Sequence, residues 1–124
     1  MAAMMLLDSN IIIYSYQPAY SFLKPLVVDP GNSVSAISRL EILGFHGIKP
    51  DEQRYCEYIF HVLKQISVDD LILDEAIRLR KAYKCKLGDS IVAATALIFQ
   101  AELVTRNVGD FKNIPGLIVR NPIL

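Results

Sequence analysis

Four acidic residues stand where an apolar segment gives way to a turn or to the start of a helix. They are Asp8, Glu41, Asp89 and Asp110. In an α/β fold the carboxyl ends of parallel strands lie along one edge of the sheet, so residues distant in sequence converge there. Carboxylates that converge repel one another, and their hard oxygens are the ligands that Mg²⁺ and Mn²⁺ prefer. The four residues therefore predict an acidic site that binds a divalent cation. A metal ion in such a site activates water for the hydrolysis of a phosphodiester.

Each of these acidic residues also has an ordinary structural explanation. Asp8 suits an Asx turn or a helix cap, and Glu41 stands three residues after Ser38, in the spacing of a capping box. Asp89 follows a glycine and precedes an apolar helix, which is typical of an N-cap, and Asp110 suits a turn. A carboxylate can cap a helix and also bind a metal, so both interpretations stay open. The other acidic residues lie at predicted helix starts or on polar helix faces, where capping or contact with solvent is their expected role.

Apolar runs alternate with helical patterns along the chain, and this order predicts an α/β fold with a mainly parallel sheet. The predicted strands cover residues 4–7, 33–38, 66–68, 103–105 and 117–119. The predicted helices include residues 70–86 and 89–100, whereas residues 11–16 fit either a helix or a continued strand. Since Asp8, Glu41 and Asp110 each follow a predicted strand, we expect all three at one edge of the sheet.

Length and composition predict a single domain over residues 1–124. Hydrophobic residues make up 52% of the chain and mean hydropathy is +0.32, so we expect part of the surface to bind a second copy or another protein. No apolar run approaches the roughly 18 residues that span a bilayer, and the N-terminus lacks the basic flank of a signal peptide. The two cysteines have no metal-binding spacing and suit free thiols in a reducing cytosol.

Basic residues are locally concentrated just before Asp89, although the formal net charge of the chain is zero. The segment contains Arg78, Arg80, Lys81, Lys84 and Lys86. A basic helix face beside an acidic pocket suits a phosphate backbone, which makes Arg78, Lys81 and Lys84 candidate backbone contacts. A solvated helix face is the ordinary alternative.

Four segments, taken in order, carry a resemblance to a known family. They read LLDSNIIIY, SRLEILG, LGDSIVAATALIFQAELVTRNVGDF and GLIVRNP. Together they resemble the PIN domain family, and within it the small VapC-type toxin ribonucleases, over residues 6–122. The block at residues 87–111 is the most specific part. The resemblance implies a three-layer α/β/α sandwich with a mainly parallel central sheet.

The resemblance also implies a cytoplasmic, Mg²⁺- or Mn²⁺-dependent endoribonuclease that forms a homodimer and is held inactive by a protein antitoxin. Asp8, Glu41 and Asp89 match the three central acidic positions of the family. Many PIN domains have a fourth acid where this chain has Asn107, and here the acid is Asp110, as in an NxxDF variant. Further candidates for the site are Ser9, Thr105 and Asn107.

The expected reaction is metal-assisted hydrolysis of single-stranded or loop RNA, with Asp8 and Asp89 as the first choice of ligands. Glu41 and Asp110 would bind through water, orient the nucleophile or hold a second ion. A phosphotransferase with Asp8 as nucleophile is a weaker alternative, because its usual second aspartate is Asn10 here. A non-catalytic PIN-fold module for RNA or protein is another alternative, although it has no need of four carboxylates. The RNA target, the cleavage sequence and the number of metal ions stay open.

Overall fold

The structure, a computed structural model, describes residues 4–123. Its strands are β1 (Met5–Leu7), β2 (Ser33–Ser35), β3 (Lys64–Ile66), β4 (Glu102–Val104) and β5 (Val119–Arg120). Its α-helices are α1 (Ser9–Tyr16), α2 (Lys24–Val27), α3 (Ala36–Leu43), α4 (Pro50–Val62), α5 (Asp70–Ala82) and α6 (Leu87–Phe99). Two 3₁₀ segments cover Pro18–Leu23 and Val108–Asp110. None of the helices in the described range is both long and apolar enough to cross a bilayer.

All strand pairings in the described sheet are parallel, and the strand order is β3-β2-β1-β4-β5. Parallel neighbours require crossover connections, and the connecting helices cover the two faces. The predicted three-layer α/β/α sandwich is therefore confirmed. β1 lies at the centre of the sheet. β2 and β3 extend the sheet on one side of β1, and β4 and β5, which come later in the chain, extend it on the other side. The boundary between β1 and β4 is thus the topological switch point, where open α/β sheets bind ligands.

Successive residues of the central strands enter two different hydrophobic cores. Leu6 and Leu103 belong to the core formed with α5 and α6. Leu7 and Val104 belong to the core formed with α1 and α4. This alternation follows from the two-residue period of a strand, and all four side chains are fully buried. The two cores therefore fix the carboxyl ends of β1 and β4, the edge at which the acidic residues were expected.

The strand that was predicted to continue to Ser38 ends at Ser35 instead. The Ser35 hydroxyl accepts a hydrogen bond from the Ile37 N–H (3.2 Å) and caps α3, so the helix begins directly after it. The predicted capping pair of Ser38 and Glu41 is therefore wrong. Ser38 is buried inside the helix, and its hydroxyl has no hydrogen-bond partner among the described residues. Glu41 projects from the second turn of α3 and does not follow a strand directly.

The helix predicted over residues 70–86 ends before Tyr83, whose backbone is extended. Lys84 and Lys86 consequently lie in the segment between two helices, and the predicted basic helix face is shorter than expected. The next helix, α6, begins directly after Lys86. Lys86 therefore takes the N-cap position that was predicted for Asp89, which lies inside the first turn.

Candidate active site

Asp8 lies directly after β1, at the topological switch point, and is only 6% exposed. Its N–H donates to the Val104 carbonyl oxygen (2.9 Å), which continues the parallel pairing beyond the strand. Its Oδ1 accepts a hydrogen bond from the Ser9 N–H (2.8 Å). Its Oδ2 accepts hydrogen bonds from the Thr105 hydroxyl (2.9 Å) and the Asn10 amide (3.3 Å). These contacts hold the carboxylate in one orientation.

Asn10 links the first turn of α1 to the segment that follows β4. Its Nδ2 also donates to the Thr105 hydroxyl (3.1 Å), and its Oδ1 accepts from the Arg106 N–H (3.1 Å). The Thr105 hydroxyl accepts in addition from the Asn107 N–H (3.1 Å). No role in the site was predicted for Asn10 from the sequence. The available signal was its position two residues after Asp8, in the first turn of a helix at the strand end.

The other three carboxylates come from different elements. Glu41, on α3, lies beside Gly88 in the first turn of α6, and a Cβ added to Gly88 would stand 2.7 Å from Glu41 Oε2. Asp89 is the next residue of α6. Asp110 ends a 3₁₀ segment and lines the same cleft as Asp89. The fold therefore brings residues from α3, α6 and the segment after β4 toward Asp8.

Burial and mutual repulsion raise the pKa values of three of these carboxyl groups. For Asp8, desolvation is the largest cause and the Asp110 charge adds to it, while hydrogen bonds to the carboxylate act in the opposite direction. For Glu41, desolvation is followed by the charges of Asp8 and Asp89. For Asp89, desolvation is followed by the charges of Asp8 and Asp110. Lys86 offsets part of this increase in the pKa of Asp89.

No basic side chain forms an ion pair with any of the four carboxylates within residues 4–123. The ion pairs found there are Arg54–Asp51, Arg78–Glu75 and Arg120–Glu102. Asp8 is buried and Asp89 is half-buried, whereas Glu41 and Asp110 are exposed. Two carboxylates that are partly or fully removed from water without a counter-ion are costly, so the cluster favours the binding of a cation. This demand for positive charge is the main electrostatic property of the site.

The donor set fits a hard divalent cation. The four members of the cluster supply carboxylate oxygens, which Mg²⁺ and Mn²⁺ bind together with water, and they supply none of the nitrogen or sulfur that zinc favours. In the described part of the chain, no three His, Cys, Asp or Glu side chains already form a coordination group. Like charges without a counter-ion are expected to stay apart in this way. The residues that would hold the ion are the four carboxylates.

The secondary candidates Ser9, Thr105 and Asn107 contact the acidic cluster in different ways. The Ser9 N–H and the Thr105 hydroxyl each donate a hydrogen bond to the Asp8 carboxylate. Asn107 joins the network through its backbone N–H, and the residue is exposed. Asp110 is exposed as well, and its negative charge contributes to the raised pKa of Asp8.

Of the three predicted backbone contacts, only Lys84 lines the cleft that contains two of the acids. Arg78 is exposed and pairs with a glutamate on its own helix, and Lys81 is exposed outside the cleft lining. Arg80 and Lys86 line the cleft instead. The difference follows from the end of α5 before Tyr83, which redirects the basic segment toward the acids.

We expect Gly88→Ala to weaken metal binding about 10–100-fold, the range found when groups that orient a metal ligand are changed. The added methyl group would approach Glu41 Oε2 to 2.7 Å, so the carboxylate must move. Alanine favours an interior helical position over glycine by about 1 kcal/mol, so we do not expect a lower melting temperature from the helix itself. Calorimetric titration with Mn²⁺ measures the affinity, and a thermal melt measures the stability.

The double variant Gly88→Ala/Glu41→Asp is the matched control for this steric argument. It shortens the acid by one methylene group and should recover part of the lost affinity if the clash is the cause. Wild-type affinity in Gly88→Ala alone would show that the position of the Glu41 carboxylate does not matter for the metal.

Comparisons with known proteins bear on the family of this chain. A chain of a toxin–antitoxin complex from Klebsiella pneumoniae is 30% identical, with a TM-score of 0.76 over 92% of this chain and 95% of that chain. VapBC2 from Rickettsia felis, bound to a promoter DNA fragment, is 23% identical, with a TM-score of 0.77 over 95% and 98%. DNA-bound VapBC from Salmonella typhimurium is 18% identical, with a TM-score of 0.79 over 97% and 98%. Comparison with curated proteins gives no significant match.

The sequence profile of the PIN domain matches residues 5–117, nearly the full span over which the resemblance was seen. The order of the four sequence segments and the parallel sheet agree with this match. The chain belongs to the PIN domain family.

Proposed function

We propose that this chain is a Mg²⁺- or Mn²⁺-dependent endoribonuclease of the VapC type, the toxin of a toxin–antitoxin pair. The observation that carries the proposal is the cluster of four carboxylates at the switch point, which no basic side chain in residues 4–123 neutralises by an ion pair. Membership in the PIN domain family supports nuclease activity. The 30% identity to a chain of the Klebsiella pneumoniae toxin–antitoxin complex supports the role as a toxin.

The proposed roles of the side chains follow from their contacts. A divalent cation at the site would supply positive charge to the phosphoryl oxygens and acidity to a water molecule. Asp8 and Asp89 would hold it directly, and the hydrogen bonds from Thr105 and Asn10 would keep Asp8 in position. Glu41 lies beside the first turn of α6, which carries Asp89, and would bind the ion through water or orient the attacking water. Asp110 would bind through water or hold a second ion.

The proposal includes a protein antitoxin that covers the site. A second cleft of about 240 Å³ adjoins Glu41 and is lined by apolar side chains that include Ile13, Ile42 and Phe45. An apolar segment of a partner protein suits such a cleft, and its binding there would place it beside the acidic cluster. Exposed apolar side chains such as Leu40 (68% exposed) support further interfaces, including that of a homodimer. A cytoplasmic location suits the two free cysteines.

The proposal is tested by incubating the purified protein with end-labelled RNAs of mixed sequence, tRNA among them. We expect cleavage in Mg²⁺ or Mn²⁺ and none in EDTA. Asp89→Asn removes one carboxylate charge and should slow cleavage about 100-fold, equivalent to roughly 2.7 kcal/mol of lost transition-state stabilisation.

Asp74→Asn is the matched control, because Asp74 is an exposed acid on α5 outside the cluster. Its cleavage rate should equal that of the wild type. If the wild type cleaves no RNA in either metal, or if Asp89→Asn cleaves as fast as the wild type, the ribonuclease proposal is wrong. A non-catalytic PIN-fold binding module would then be the better interpretation.

A further inference from the structure

A cleft of about 720 Å³ opens beside Asp89 and Asp110. One wall is formed by the end of α5, the segment that joins α5 to α6 and Asp89, and the other by Gly109, Asp110, Asn113 and Ile114. Its volume lies within the range of roughly 300–1,000 Å³ that is usual for small-molecule sites. The cleft therefore has room for one nucleotide directly beside the acidic cluster.

Basic side chains line the same cleft as these two acids. They are Arg80, at the end of α5, and Lys84 and Lys86, in the segment that joins α5 to α6, and all three are exposed. None of them takes part in an ion pair within residues 4–123. A ligand that complements this lining carries one negative group for a cation held by the acids and another for the basic residues. A phosphodiester chain, with its regular succession of phosphates, has this arrangement of charge.

Two further residues of the lining suit contact with a base. Tyr83 is half-buried and packs against the core of α5 and α6, so its ring is supported from behind. An aromatic ring in this situation is a platform on which an unpaired base stacks. Asn113, on the opposite wall, is exposed, and its amide offers both donors and an acceptor to a base edge.

We propose that this cleft binds the nucleotide next to the cleaved phosphodiester and gives the enzyme a base preference at that position. Arg80, Lys84 and Lys86 bind the flanking phosphate. Tyr83 stacks on the base, and Asn113 hydrogen-bonds to its edge. The inference rests on the proposed ribonuclease activity and adds a subsite to it.

The phosphate contacts are tested with the double variant Arg80→Gln/Lys84→Gln, which leaves Lys86 beside Asp89 unchanged. The matched control is Arg78→Gln/Lys81→Gln, an arginine and a lysine from the same stretch of sequence that lie outside the cleft lining. We expect the cleft variant to raise KM for a short RNA about tenfold with kcat changed less than about twofold. The slope of log KM against log salt should fall by about 0.7 for each lost phosphate contact. The control should retain the wild-type KM and slope.

The base contacts are tested by mapping cleavage sites in a random-sequence RNA pool. Tyr83→Leu and Asn113→Ala should each broaden the base preference at one position beside the cleaved bond. Tyr83→Phe keeps the ring and should retain the wild-type preference, which separates stacking from a merely structural role. Thermal melts of all variants identify any that fold poorly.

The outcomes separate this inference from the activity on which it rests. If the wild type cleaves RNA while the cleft variants keep its KM, its salt slope and its base preference, the subsite is wrong and the ribonuclease stands. If the wild type cleaves nothing, the ribonuclease proposal fails, and the cleft is then tested by fluorescence anisotropy with a short labelled RNA. Equal binding by the wild type, the cleft variant and the control overturns the subsite in that case as well.

Discussion

Asp8→Asn is expected to lower kcat/KM for metal-dependent RNA cleavage about a thousandfold, which corresponds to roughly 4 kcal/mol. Asp8 is the most buried member of the cluster, and all the contacts to its side chain fix the direction of the carboxylate. Asparagine has the same shape and keeps one side-chain oxygen for hydrogen bonds from Ser9 or Thr105. The substitution therefore removes the charge that a cation needs while preserving most of the local packing.

The measurement is a single-turnover cleavage assay of Asp8→Asn in saturating Mn²⁺, beside Asp74→Asn as the control for a lost surface charge. Thermal melts in EDTA should place Asp8→Asn near the wild type. Removal of a buried charge is favourable, whereas the amide nitrogen of asparagine cannot accept the hydrogen bonds that Asp8 Oδ2 receives from Thr105 and Asn10. Cleavage within about tenfold of the wild-type rate, with normal melting, would sink the assignment of Asp8 as a metal ligand.

Asp8, Glu41 and Asp89 should each stabilise the metal-free protein less as the pH rises above the ordinary carboxyl range. The folded-state pKa values of Asp8, Glu41 and Asp89 lie above the ordinary values of 3.8 for aspartate and 4.5 for glutamate. A group with a raised folded-state pKa stabilises the fold fully when the pH is below its unfolded pKa. That contribution is lost as the pH rises through the folded-state pKa. The contribution of these three groups to the melting temperature in EDTA should therefore decrease as the pH rises.

Asp8→Asn serves as the reference for this pH dependence. Its melting temperature should decrease less with pH than that of the wild type, and the difference between the two proteins isolates the contribution of Asp8. If both proteins show the same pH dependence, the inferred increase in the pKa of Asp8 is wrong.

Mn²⁺ should restore the stability that the metal-free protein loses near neutral pH. At a free concentration about 100 times the dissociation constant, a ligand that binds only the folded state adds roughly 2.7 kcal/mol. For a domain of this size the melting temperature should rise by about 10 °C. NaCl at equal ionic strength is the control for screening, and Asp8→Asn should show little increase. An equal increase with NaCl and Mn²⁺ would contradict a specific site.

The sequence was sufficient to predict the parts of the site that follow directly from strand ends. Asp8 ends a buried apolar run, and a parallel sheet leaves only one edge for such a residue. The almost wholly apolar stretch at residues 89–100 predicted a helix buried on most sides, and residues 90–96 of α6 are all buried. Asp89 was located correctly near the start of that helix, though not at its cap.

The residue at which β2 ends and α3 begins could not be predicted from the sequence. Ser33, Ser35 and Ser38 are all able to cap a helix, and the pattern SVSAIS reads as a strand throughout. The choice of Ser35 depends on the pairing of β2 with β3, which ends where Ser35 pairs with Ile66. Because that register is a tertiary property, the position of Glu41 on the helix could not be predicted.

The contacts of Asn10 and the positions of Arg80, Tyr83 and Asn113 in the cleft lining were not predicted, for a similar reason. Asn10 contacts Thr105 across 95 residues, and no local pattern indicates a contact of that range. The cleft exists because the chain leaves α5 before Tyr83, whereas the helical periodicity of the sequence continues to residue 86. Local periodicity predicts a helix well but fixes its last turn poorly.

The hydrogen bond between Thr105 and Asp8 joins residues 97 positions apart, so the parts of the site are synthesised at widely separated times. A ribosome releases the amino end first, and Asp8 emerges long before Asp89, Thr105 and Asp110. The nascent chain therefore holds only a fragment of the acidic cluster until Asp110 has been translated. If the chain is the proposed ribonuclease, its own messenger is not exposed to a complete site on that chain until translation has passed Asp110.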